Sequence, residues 1–208
     1  MISRGPRNLR ARNLRTLAAL AALFLLPLVL AFFTYYGTDW RPGAHVNHGQ
    51  LISPARPLPT VALPRVALES GPGATAPATA TAAFRQHWSL VYVGAGSCDA
   101  DCRETLHVMR QTRLALNNDM TRVARVFLVS AACCDRAFLA REHAGLEVLD
   151  ASAAAAEPLL AQFPAADRGH TLFIVDPLGN LMMSYDARAN PRGLLEDLKK
   201  LLALSHIG

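Results

Sequence analysis

The sequence predicts an α/β sandwich with a small mixed sheet, preceded by one N-terminal transmembrane helix. Three observations in its 208 residues point there. Leu17 to Tyr36 carries no charge. After Phe84, short apolar runs alternate with segments of helical periodicity. A glycine-containing turn between the first such run and the first such helix holds two cysteines, Cys98 and Cys102.

The N-terminal charge is one-sided. Residues 1–36 hold five arginines (Arg4, Arg7, Arg10, Arg12 and Arg15) and no acid, which leaves 16 basic residues against 16 acidic ones in the remainder. The isoelectric point near 9.4 therefore comes from the tail and does not argue for a nucleic-acid partner. Of the residues in 17–36, eleven are Leu, Val or Phe. At about −0.3 to −0.6 kcal/mol each they favour membrane insertion by several kcal/mol. Residues 1–16 then read as a basic cytoplasmic tail and 17–36 as the anchor, with Tyr35, Tyr36 and Trp40 at the far interface. The expected location is a bacterial inner membrane, single-pass, with the C-terminal domain in the periplasm. A cleaved signal peptide is the competing reading; the length of the apolar run and the lack of an A-x-A-like site after it favour the anchor.

Residues 37–83 read as a linker rich in Pro, Ala and Thr. Pro54, Pro57, Pro59 and Pro64 argue against central strands, and at most an edge hairpin is expected near 60–68. The domain is expected over 84–208. Trp88–Val93 suits a buried strand. Gly94 and Gly96 let the chain turn, and Asp99 or Asp101 caps a helix from about Arg103 to Leu116. A second strand follows over 122–129, then a helix from about Asp135 to Ala144 stopped by Gly145. Leu146–Leu149 is a short strand or extended link, and Ala153–Phe163 a helix interrupted or restarted at Pro158. Thr171–Asp176 is a third strand; Pro177–Asn180 turns it into a hairpin partner over 181–185. Asn190 caps the last helix, with Pro191 at its first position and Leu194, Leu195, Leu198, Leu201 and Leu202 on one face.

Cys98 and Cys102 are the candidate reactive pair. Their spacing puts both on one face of a first helical turn if the helix starts at or before Cys98, where the helix dipole lowers a thiol pKa. Such a dithiol serves disulfide exchange or holds a soft ion such as Cu(I). Export places it where disulfides persist. Among the seven histidines, His170 sits just before the third strand, where the fold predicts convergence on the cysteines, and is the candidate third ligand or redox partner. His107 points away from the thiols, and His45, His48, His87, His143 and His206 read as solvated. Cys133-Cys134 leaves a second metal site, a resolving thiol pair or inert buried thiols open, with the inert reading favoured. Met182-Met183 reads as packing, one side chain on each strand face.

This order of strands and helices, with a dithiol at the first helix, looks like a thioredoxin fold. The chain as a whole resembles the Sco/SenC-like group of membrane-anchored, thioredoxin-fold proteins, and especially the short single-anchor proteins associated with cytochrome c oxidase assembly in proteobacteria. The residues carrying the resemblance are the anchor, Asn47-His48-Gly49-Gln50-Leu51-Ile52-Ser53-Pro54, Trp88–Tyr92 leading to Cys98-x-x-x-Cys102, Val175-Asp176-Pro177-Leu178-Gly179-Asn180, and Asp197–Leu202. It implies copper bound by Cys98, Cys102 and His170, and a cytochrome c oxidase subunit or assembly factor as partner. Two positions depart from the family pattern: Arg103 stands where a proline usually follows the second cysteine, and Arg168 where the histidine usually lies. The expected function is oxidase assembly by Cu(I) binding or thiol–disulfide exchange. The alternatives are a general disulfide oxidoreductase and a non-catalytic assembly module that keeps the thioredoxin shell.

Overall fold

The computed structural model describes residues 6–37, 47–68, 77–79, 83–131, 133–164, 168–205 and 207. The expectations for Trp40, His45 and His206 lie outside them. The chain divides into two units, Met1–His45 and Val46–Gly208. The first contains one helix, α1 (Pro6–Gly37), which runs through Pro27. Its Arg12–Gly37 stretch, 26 residues that include an 18-residue segment of mean hydropathy 2.5, is long and apolar enough to cross a membrane.

The second unit is built on a six-stranded mixed sheet. Its strands are β1 (Gln50–Pro57), β4 (Trp88–Gly94), β5 (Val123–Val129), β6 (Glu147–Asp150), β7 (Thr171–Val175) and β8 (Asn180–Asp186). They lie in the order β1-β8-β7-β4-β5-β6. β4, β5 and β6 run parallel, and the pairs β4/β7, β7/β8 and β8/β1 are antiparallel. The central strands are apolar at nearly every position because both faces are covered. Alternate residues sort between two cores. Leu90, Tyr92, Phe127, Leu172, Ile174 and Tyr185 face one side. There α2 (Ala100–Leu114) contributes Leu106 and Met109, and α5 (Pro191–Leu204) contributes Leu194, Leu198 and Leu202. Val91, Val93, Val126, Leu128 and Phe173 face the other side, against Leu58, Leu63, Phe84, Leu159 and Phe163. Met183 is buried in the first core, and Met182, half-buried, packs against the same cluster rather than on the other face, because the β7/β8 pairing shifts register between Leu181 and Met183.

Helix limits follow their caps. Asp99 accepts from Cys102 N at 3.0 Å and starts α2 three residues earlier than the sequence suggests. Asp135 caps α3 (Arg136–Glu142) by accepting from Phe138 N at 3.0 Å. Gly145 follows with φ +75°, a left-handed turn that suits glycine. Asn190 accepts from Gly193 N at 2.8 Å at the start of α5. The restart expected at Pro158 takes the form of a 3-10 turn (Ala154–Ala156) followed by the short α4 (Glu157–Leu160), with Pro158 in its first turn, where no helical N–H is needed.

The stretch read as linker supplies more structure than the prolines suggest. β1 forms one edge of the main sheet, the position a Pro-bearing strand tolerates, with a register shift between Leu51 and Arg56 around Pro54. In place of a hairpin near 60–68, β2 (Ala62–Pro64) pairs with β3 (Pro77–Thr79). Arg65 bridges to Leu149, and Val66 N donates to Val148 O at 2.8 Å, so this segment lies along the opposite edge at β6.

Candidate functional site

β4 delivers the chain to the dithiol. Gly94 is needed there less for the turn than for space: a Cβ would meet the Tyr92 ring and hydroxyl at 2.7–2.8 Å. The left-handed residue of the loop is Cys98 itself, with φ 43°. That conformation disfavours a residue with a Cβ by about 1–2 kcal/mol. Cys98 N donates to Ala95 O at 3.3 Å, and Arg103 Nε donates to Cys98 O at 3.2 Å. Cys98 and Cys102 are joined by a disulfide, and each is only 2% exposed. Cys98 therefore lies just before the helix and Cys102 in its first turn.

A cleft of about 250 Å³ opens beside the disulfide, lined by Tyr92, Gly94, Ser97, Asp99, Cys102, Ser130, Arg168 and Gly169 among others. Tyr92 donates to Gly169 O at 3.1 Å. Burial, with the Asp99 and Asp101 carboxylates adding to it, pushes its hydroxyl up to about 12, so it stays a hydrogen-bond donor at neutral pH. The Arg168 guanidinium donates to Leu160 O at 2.6 Å and Phe163 O at 2.8 Å, which ties the segment ahead of β7 to α4 and the turn after it.

The two cysteines come together; His170 stands elsewhere. Its Nε2 is 3.6 Å from Asp186 Oδ2, and it lines a separate cleft of about 360 Å³ with His48, Ser184, Tyr185 and Asn190. The dithiol cleft holds Arg168, the position where the family pattern has histidine. Among the described residues, no group of three or more His, Cys, Asp or Glu side chains is arranged to hold a metal ion.

Three further groups escaped the sequence. Cys133 and Cys134 form a vicinal disulfide, half-buried against the same core cluster as Cys98 and Cys102, where inert thiols were favoured. His143, expected to be solvated, is buried at 3% exposure and stacks edge-on against Phe138. Burial, and then the Arg125 and Arg110 charges, bring its imidazole down to about 4. His48 is half-exposed, yet its backbone N and Nδ1 bond to Asp197 at 2.6 and 3.1 Å. Tyr185 also donates to Asp197. The partners are 149 and 12 residues apart, so no local pattern announces them.

Residues 88–205 match a family described as transmembrane-like, thioredoxin-like, C-terminal domain. Among solved structures, apo Sco1 from Thermus thermophilus is similar at 20% identity and TM-score 0.55, covering 76% of this chain and 99% of that one. Yeast Sco1 with copper bound is similar at 13% identity and TM-score 0.55, covering 71% and 93%. BsSco, a member of the Sco family of cytochrome c oxidase assembly proteins in which a disulfide switch was identified, is similar at 13% identity and TM-score 0.54, covering 75% and 99%. At these identities the likeness is one of fold. No curated protein matches the chain.

Proposed function

Because the chain belongs to the transmembrane-like, thioredoxin-like C-terminal domain family, we propose that it works by thiol–disulfide exchange at Cys98 and Cys102, on the periplasmic side of a bacterial inner membrane, in the assembly of cytochrome c oxidase. The observation that carries this reading is the disulfide between Cys98 and Cys102, set at the N-terminus of α2 and opening on a cleft. Once reduced, the pair offers a thiolate that attacks one sulfur of a client disulfide; the client's other sulfur leaves as a thiolate and takes a proton, and the second thiol of the pair, deprotonated, resolves the mixed disulfide. The α2 N-terminus stabilises the attacking thiolate. The pair ends as a disulfide, the state described above, and the client as a dithiol, with two electrons transferred.

The oxidase as client is supported by the fold shared with BsSco, and the periplasmic side by the arginines gathered at the N-terminal end of the chain, ahead of the apolar run. Copper enters this reading as cargo. Once reduced, Cys98 and Cys102 offer two soft donors suited to Cu(I). His170, beside Asp186, is not counted among them.

Replacing both cysteines by serine in the full chain is expected to lower oxidase activity and oxidase copper content together. Unchanged values for both would sink the reading. Titration of the reduced full chain with Cu(I) is expected to show one equivalent bound, lost in Cys98→Ser and kept in His170→Ala. Loss in His170→Ala would restore the histidine as a third ligand.

A further inference from the structure

The second cysteine pair stands beside the first by construction of the sheet. β4 and β5 are parallel neighbours whose last paired residues are Gly94 and Val129. Cys98 lies four residues beyond the one and Cys133 four residues beyond the other. Both pairs thus leave the same end of adjacent strands at the same offset. Ser130 N donates to Gly94 O at 2.9 Å and holds the two exits in step. Arg103 then ties the loops together. Its Nε donates to Cys98 O at 3.2 Å, and its Nη2 lies 3.5 Å from Asp135 Oδ2, on the residue after Cys134. Its guanidinium also covers the Phe138 ring at 4.2 Å. Cys133 and Cys134 pack against the apolar cluster that contains Cys98 and Cys102. The pairs differ in access: Cys98 and Cys102 are each 2% exposed, and the vicinal pair is half-buried.

We propose that Cys133–Cys134 is a second redox centre, the outward port through which an external dithiol reductant reduces the buried Cys98–Cys102 disulfide. The proposal rests on the redox reading of Cys98–Cys102 given above. The external dithiol first reduces the vicinal disulfide and is itself oxidised to a disulfide. One thiolate of the vicinal pair then attacks a sulfur of Cys98–Cys102. A mixed disulfide forms between the pairs, and the other sulfur of the Cys98–Cys102 pair leaves as a thiolate and takes a proton. The remaining vicinal thiol, deprotonated, attacks its neighbour's sulfur in the mixed disulfide, re-forms Cys133–Cys134 and releases the second thiol. Two electrons and two protons pass inward, and the vicinal pair returns to its starting state.

The test uses the full chain in detergent micelles, with dithiothreitol as the dithiol. Reduction of Cys98–Cys102 is followed by acid quenching, differential alkylation and peptide mass mapping. In Cys133→Ser plus Cys134→Ser it is expected to be at least about tenfold slower than in the wild type. Separately, four double variants each keep one cysteine of each pair. On mild oxidation by glutathione disulfide, at least one is expected to form an intramolecular disulfide between the pairs. The relay needs both results, and the absence of either overturns it. If the double-serine variant loses its circular dichroism signature, Cys134→Ser alone takes its place in the rate measurement. A wild-type rate with no inter-pair disulfide removes the relay and leaves exchange at Cys98–Cys102 standing. A Cys98–Cys102 pair that dithiothreitol reduces in no variant, nor in the wild type, removes both.

Discussion

His143 shows what one residue does when the fold closes over it. Its Nδ1 is buried with no partner among the described residues, and Arg125 nearby is a buried cation whose own value burial, then Arg113 and Arg110, bring down to about 10. The imidazole, at about 4, is neutral in the folded domain at any pH where an unfolded histidine, near 6.5, is half-protonated. Between those values the unfolded chain binds the extra proton, so stability is complete above about pH 6.5 and declines as pH falls toward 4. The decline attributable to this group is up to about 3 kcal/mol. Urea unfolding of wild type and His143→Gln at pH 7 and pH 4 checks it: the variant is expected to lose less stability on acidification. An equal loss would place the imidazole's charge in contact with solvent. At this scale the cysteine pair was legible, since Cys98, Asp99 and Cys102 are local to one turn. The burial of His143, at the end of α3, was not, because it depends on Arg125 arriving from β5.

Between elements, the clearest tie is the one Asp197 makes. From α5 it takes hydrogen bonds from His48 N at 2.6 Å, Gly49 N at 3.2 Å and the Tyr185 hydroxyl on β8. Burial acts to raise its pKa, but the bonds from Tyr185, His48 and Gly49 outweigh this and hold the carboxyl below its usual range. Gly49 has to lack a side chain because a Cβ would run into the Tyr185 ring. The carboxylate therefore fastens the start of β1 to the end of the domain. Asp197→Ala strands the Tyr185 hydroxyl and frees the strand's entry, at an expected cost of about 2–4 kcal/mol. Asp197→Asn keeps one acceptor and is expected to cost about half as much. Denaturant midpoints would read both, and a shift below about 1 kcal/mol for the alanine variant would argue against the tie. The edge position of β1 follows from Pro54 and Pro57, but its existence was hidden: nearly all its residues are exposed, so it carries no apolar alternation to read. Leu90–Val93, Val126–Val129 and Leu172–Val175, buried throughout, announced the sheet centre directly.

For the molecule as a whole, α1 and the domain were separable on the page because charge, hydropathy and cysteine content all change along the chain. Two arginines at Leu25 and Leu26 test the anchor. Each charge near the middle of a spanning helix costs about 2.5–3.5 kcal/mol. The variant is expected to leave the alkali-resistant membrane fraction in which the wild type stays, and retention there would argue against a span. The sheet's two rims have a bearing on life in a bilayer. Proteins confined to one plane meet often and in similar orientations, the condition under which an open strand zips onto its neighbour's. Here one rim is β1, with its prolines and broken register, and the other is the four-residue β6, screened by Arg65 and Val66. Both guards come from residues 47–68, the described stretch of the domain that follows α1 most closely in sequence. A segment whose composition reads as a mere spacer thus works as insulation, letting neighbouring copies collide without polymerising.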